Sequence, residues 1–76
     1  MKICIDPGHG GKDPGAVAAG CVEKDVALSI SLKLAEILKS KGLDVFLTRS
    51  DDTYNSVAQK AAKANKWGAD LFVSIH

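Results

Sequence analysis

The sequence has almost no net charge, two cysteines, two prolines, and only one tryptophan, one tyrosine and two phenylalanines among its 76 residues. Each shortage excludes something. A formal charge of +1 with scattered lysines leaves no basic face for nucleic acid. No apolar run approaches the length needed to cross a bilayer. The opening MKICIDPGHG enters a strand and then a turn at once, leaving no room for the apolar core of a signal peptide. Cys4 and Cys21 permit one pairing at most. Cys4 falls in a core strand by pattern and reads as a small buried hydrophobe. No repeat, low-complexity tract or shift in composition marks a linker. What remains is one small domain or part of one, and an α/β unit this short buries too little surface to be more than marginal alone.

Periodicity supplies the elements. Lys2 to Asp6, KICID, is rich in β-branched residues and closed by Pro7-Gly8, a strand and its turn. From Lys24 to Ser40 the period becomes helical. Ala27, Ile30, Leu34, Ile37 and Leu38 fall on one stripe, which Val26, Leu28 and Leu32 broaden, as suits a helix lying on a sheet. Gly42 stands where a left-handed cap would end it. Asp44 to Thr48 reads as a second strand. A second helix is predicted from Ser56, a good N-cap, to Lys66, with Val57, Ala58, Ala61, Ala62 and Asn65 inward. Gly68 ends it and Leu71 to Ile75 form a third strand. The order β-α-β-α-β predicts an α/β fold with a parallel sheet of order 2-1-3. The abrupt close LFVSIH suggests a chain that stops inside a larger domain.

In open α/β sheets ligands bind beyond the carboxyl ends of the strands. His9 follows the first strand, His76 ends the third, and Glu23 precedes the first helix, so all three fall at one rim. Between them lies DPGHGGKDPG, Asp6 to Gly15, which holds both prolines and four of the seven glycines. It is not a phosphate loop. A dinucleotide fingerprint needs glycine where Asp13 stands, and a P-loop needs Ser or Thr after Gly11-Lys12. Asp-Pro-Gly, present twice, is turn chemistry, but a turn alone does not account for a histidine between glycines. Two histidines and a carboxylate with an open fourth position are the donor set of a hydrolytic zinc site. A carboxylate favoured by the helix macrodipole is the other reading of Glu23.

Four blocks, IDPGHGGKDPGA, EKDVAL, GLDVFLTR and ANKWGADLFVSIH, resemble the zinc-dependent N-acetylmuramoyl-L-alanine amidase family of the amidase-3 type, in order and spacing over essentially the whole chain. The resemblance implies Zn²⁺ held by His9, Glu23 and His76. It also implies cleavage of the amide between N-acetylmuramic acid and L-alanine of peptidoglycan, with no nucleic-acid or membrane partner. Residues 1–76 then correspond to the N-terminal portion of a catalytic domain, truncated after the third strand of a larger twisted sheet flanked by helices. The family's general-base glutamate lies after the SIH block, so the chain alone is expected to be inactive and to expose a sheet edge. Glu36 reads as a solvated surface charge.

Other positions carry weaker expectations. The family's helix arginine is replaced by Lys60 or Lys63, which lack the planar fork. Arg49 is expected to pair with Asp51 or Asp52, with help in holding the rim as the other reading. Asp6 and Asp13 are candidates to orient a metal-bound histidine through its second nitrogen. Cys21, two residues from Glu23, is a competing donor that the resemblance argues against. Action at the cell wall fits a phage lysin, a sporulation lysis enzyme or a domain of an exported protein. A wall-binding module without turnover is the main alternative, and a fragment without ligand the other.

Overall fold

The β-branched run before Pro7-Gly8 forms strand β1, Lys2–Pro7, in the computed structural model, which describes residues 1–76. Strand β1 is the centre of the sheet. After the short β2, Val17–Ala18, and β3, Cys21–Val22, come helix α1, Glu23–Ser40, and strand β4, Asp44–Leu47. Helix α2, Val57–Trp67, and strand β5, Leu71–Ile75, complete the chain. Strands β4 and β5 flank β1, both parallel to it, in the order β4-β1-β5. That is the 2-1-3 arrangement expected of the three long strands.

Flanked on both edges, β1 is buried from Ile3 to Pro7. Its alternation divides two faces. Ile3 and Ile5 point to α1 and pack with Ala35, Leu34, Leu38, Val45, Leu47, Val73 and Ile75. Full burial of one such aliphatic side chain stabilises by ~1.5–3 kcal/mol. Cys4 and Asp6 face α2, where Trp67 stacks on Phe46, the cross-strand neighbour of Cys4, at 5.4 Å between ring centroids. The two helices thus lie on opposite faces of the sheet, because the two crossovers run in opposite directions with one handedness. Helix α1 packs closely on its face, while α2 leaves Phe72 exposed.

The helix ends follow their signals. Lys41 and Gly42 close α1, with Gly42 at φ 82°, and Ser56 and Gln59 form a reciprocal capping box on α2. The helix faces follow the pattern only in part: Ala27, Leu34 and Leu38 of the expected α1 stripe meet the core, Ile30 and Ile37 do not. In α1 the buried residues are Ala27, Ser31 and Ala35, while Val26, Ile30, Leu32 and Ile37 stand exposed. Apolar residues make up half of this helix, so periodicity alone cannot choose between two stripes. The small residues win, since they allow the closest approach to the sheet.

Helix α2 is rotated from its expected face. Ala64 is its one buried residue and Val57 is 84% exposed. Lys60, Ala64 and Trp67 look inward instead, the lysine laying its stem on the sheet and its ammonium against Asp6. Asn65 is exposed. The buried amide is Asn55, which donates to the Thr48 carbonyl and accepts from Lys63.

The β2–β3 hairpin was not foreseen. Ala19 and Gly20, at φ 49° and 78°, make its two-residue turn. Positive φ at both turn positions is usually signalled by Asn or Asp before Gly. Alanine in that place carries no such signal.

Candidate metal centre

Where β1 ends, the Gly8 N–H still donates to the Ile75 carbonyl at 2.8 Å, so the chain leaves the sheet alongside the end of β5. A side chain at Gly8 would fall 2.7 Å from the His76 ring. His9 turns back with φ 62°, a left-handed conformation uncommon outside glycine. Gly10 and Asp13 then exchange two backbone hydrogen bonds, of 2.7 and 2.9 Å. This tight loop carries Asp13 Oδ2 to 2.9 Å from His9 Nδ1. His9 therefore presents Nε2 outward.

Glu23 opens α1, where no side chain caps the helix. Loop carbonyls do so instead: Ala16 accepts from the Glu23 N–H and Pro14 from the Lys24 N–H. The Ala16 N–H donates in return to Glu23 Oε1 at 3.0 Å. One carboxylate oxygen is thereby held by backbone, and Oε2 is turned toward the histidines.

His76 follows β5, two residues beyond Ser74 on the same face of the sheet. Its Nδ1 lies 3.4 Å from Glu23 Oε2 and 3.4 Å from His9 Nε2, and His9 Nε2 lies 3.1 Å from Glu23 Oε2. A tetrahedral ion with ligand bonds of ~2.0–2.1 Å holds its donor atoms ~3.3–3.4 Å apart. The donor triangle has that size, and its N and O atoms suit Zn²⁺. The structure thus brings His9, Glu23 and His76 together. Cys21 is exposed and stands outside this donor group. Glu36 is an exposed residue of α1.

The charges around the site favour one another. The Asp13 carboxylate accepting from its ring raises the His9 pKa, with Glu23 adding to the effect. The His9 hydrogen bond lowers Asp13, and the Ala16 N–H, followed by the His9 charge, lowers Glu23.

The residue that ties this site together takes the second of its two expected roles, holding the rim and not pairing with Asp51 or Asp52. Arg49 is 4% exposed, and every hydrogen-bond partner of its guanidinium is a main-chain carbonyl. Nε donates to His9 at 2.9 Å and Pro7 at 3.2 Å. Nη2 donates to Gly8 at 2.9 Å and Lys24 at 3.0 Å, and Nη1 to Asp51 at 2.7 Å. A single planar fork thus joins the segment carrying His9 to the residue after Glu23. Asp51 meets it through its backbone and not its carboxylate. Asp52, the other expected partner, pairs with Lys24 at 2.9 Å and accepts from the Gly11 N–H at 2.9 Å. The usable signal was the chain's one arginine, just past the end of a strand at the rim that carries the site, where an unsatisfied buried charge is costly.

Fold and site together define an α/β protein with a group of three side chains, two histidines and a carboxylate, that could hold a metal ion at one rim of its sheet. The chain belongs to the N-acetylmuramoyl-L-alanine amidase family, whose pattern matches residues 3–76. It is 49% identical over 78 residues to the sporulation-specific N-acetylmuramoyl-L-alanine amidase of Bacillus subtilis, covering 100% of this chain and 31% of that protein. It is 48% identical over 75 residues to the endolysin of Bacillus phage SPP1, covering 97% and 28%. The structure of the catalytic domain of CwlV, an N-acetylmuramoyl-L-alanine amidase from Bacillus (Paenibacillus) polymyxa var. colistinus, superposes with a TM-score of 0.90 at 43% identity, covering 96% of this chain and 42% of that one. The chain thus spans under a third of these two curated relatives.

Proposed function

We propose that this chain supplies the zinc ligands of a peptidoglycan hydrolase that cleaves the amide between N-acetylmuramic acid and L-alanine of the stem peptide. His9, Glu23 and His76 are the ligands in this reading, and residues 1–76 are the N-terminal portion of the catalytic domain. The observation that carries it is the donor triangle of 3.1, 3.4 and 3.4 Å. Family membership supplies the substrate class.

Zinc, when bound here, supplies a Lewis acid for the scissile carbonyl and an acidified water. The chain's own residues hold the donors for it. Asp13 keeps the proton of His9 on Nδ1, leaving Nε2 free. The Ala16 N–H fixes one oxygen of Glu23 so that the other faces the ion. Arg49 sets the spacing of the two segments. Neither Glu23, as ligand, nor the exposed Glu36 serves as general base. In this reading the role belongs to a glutamate outside residues 1–76, as the resemblance implies, and the 76-residue chain alone is inactive. The place of action is the cell wall.

Metal analysis of the purified chain tests this directly. About one equivalent of zinc per chain is expected, lost in His9→Ala. No zinc in the wild-type chain would defeat the metal reading, and zinc-dependent release of stem peptides by the chain alone would defeat its inactivity. Full-strength peptidoglycan binding that survives chelation would point instead to a wall-binding module.

A further inference from the structure

His76 is held from behind by a short chain of hydrogen bonds that begins in the sheet. Asp6 in β1 stands opposite Ser74 in β5, and His76 lies two residues further on the same face. Ser74 Oγ donates to Asp6 Oδ2 at 2.8 Å and lies 3.1 Å from His76 Nε2. Asp6 is 3% exposed, and its other oxygen accepts from Thr48 Oγ1 at 2.8 Å and from the Lys60 ammonium at 3.2 Å. Paired with an ammonium and surrounded by donors, Asp6 acts only as an acceptor. The single Ser74 hydroxyl proton is therefore committed to Asp6. Ser74 then has only lone pairs to offer His76, and the proton of the His76 ring must sit on Nε2.

From this we infer that Asp6 and Ser74 are positioning residues for His76: the carboxylate, acting through the serine hydroxyl, selects the Nε2–H tautomer and presents Nδ1 to the metal. The inference rests on the zinc reading above for its purpose but not for its test. It makes the two histidines opposites. Asp13 acts directly on His9 and leaves Nε2 as donor, whereas Asp6 acts through one relay atom on His76 and leaves Nδ1. The arrangement has a reason. The His76 side chain is 56% exposed, so sheet packing alone does not choose its rotamer or its tautomer. The buried Asp6 supplies the fixed point, and Lys60 and Thr48 hold Asp6 in turn.

The test uses ¹⁵N-labelled histidine rings in the metal-free chain, above the imidazole titration range, followed by zinc titration. In the wild type, His76 is expected as Nε2–H and His9 as Nδ1–H. Ser74→Ala should turn His76 into a tautomer mixture while His9 stays Nδ1–H, which also shows that the variant is folded. Ser74→Thr should restore the Nε2–H form. Zinc affinity should fall about 10–100-fold in Ser74→Ala and recover in Ser74→Thr. A wild-type His76 with its proton on Nδ1, or a tautomer indifferent to Ser74→Ala, would overturn the inference whether or not zinc binds. The expected tautomer changes in a chain that takes up no zinc would uphold the positioning and remove the zinc reading alone.

Discussion

Arg49 offers the most demanding test of how this site is built. Its guanidinium makes five contacts to main-chain carbonyls while 4% exposed, so its removal leaves polar groups of the loop carrying His9 without that partner. A hydrogen bond to a charged group contributes ~1.5–3 kcal/mol, and these contacts share one side chain, so they do not simply add. By analogy with breaking a buried charged network, Arg49→Ala should cost ~3–5 kcal/mol. At ~0.05–0.15 kcal/mol per residue, a chain of 76 residues has ~4–11 kcal/mol in all. The alanine variant should therefore lie near the edge of folding. Arg49→Lys keeps the charge but offers three donors from one nitrogen, so it cannot reach the His9 side and the Lys24 side together. We expect a loss of ~1–3 kcal/mol and a weaker zinc site. Urea unfolding followed by circular dichroism, with and without zinc, gives both quantities. Arg49→Lys within ~0.5 kcal/mol of wild type, with zinc affinity unchanged, would refute the clamp.

Two further outcomes follow from the loops around the site. Gly15, at φ 69°, has no room for a methyl group, since a Cβ would lie 2.6 Å from His9 Cδ2 and 2.9 Å from Glu23 Oε1. Gly15→Ala should weaken zinc binding by at least ~10-fold, whereas Gly20→Ala, also at positive φ but facing open space, should cost stability alone; equal affinities in the two variants would contradict this. Asp52 has its pKa lowered first by the Lys24 ammonium and then by the Gly11 N–H. Its contribution is fully present above its ordinary unfolded value of ~3.9 and disappears as the pH falls through the lowered folded value. Asp52→Asn should accordingly flatten the dependence of the urea midpoint on pH below ~4, and an unchanged acid slope would speak against the pairing.

The sheet order and the meeting of His9, Glu23 and His76 at one rim were legible because strand ends and helix starts are signalled locally and parallel topology does the rest. The helix faces were legible only in part, Ala27, Leu34 and Leu38 meeting the core as expected. In α1 two apolar stripes compete, and in α2 Lys60 and Trp67 share the inward face with Ala64, where Val57, Ala58 and Ala61 were expected. The rim-holding role of Arg49 ranked second for a related reason. Nearby aspartates make a surface ion pair the simplest reading, and a guanidinium seated among carbonyls leaves no pattern in the letters. Asp13 was legible as a partner for a histidine, but the route from Asp6 through Ser74 requires the β1–β5 register, which no local signal gives.

The two histidines sit 67 positions apart in the chain, and that separation has a kinetic side. Donors drawn from adjacent strands exist as a pair only after β5 has docked beside β1, a contact that closes a long loop and so comes at high entropic cost. A cation cannot nucleate such a fold by gathering neighbours, as it does in short zinc-binding loops. It can only slow the unfolding of what has already closed. Uptake of metal should therefore trail secondary-structure formation in refolding, and chelation should speed unfolding far more than it slows folding.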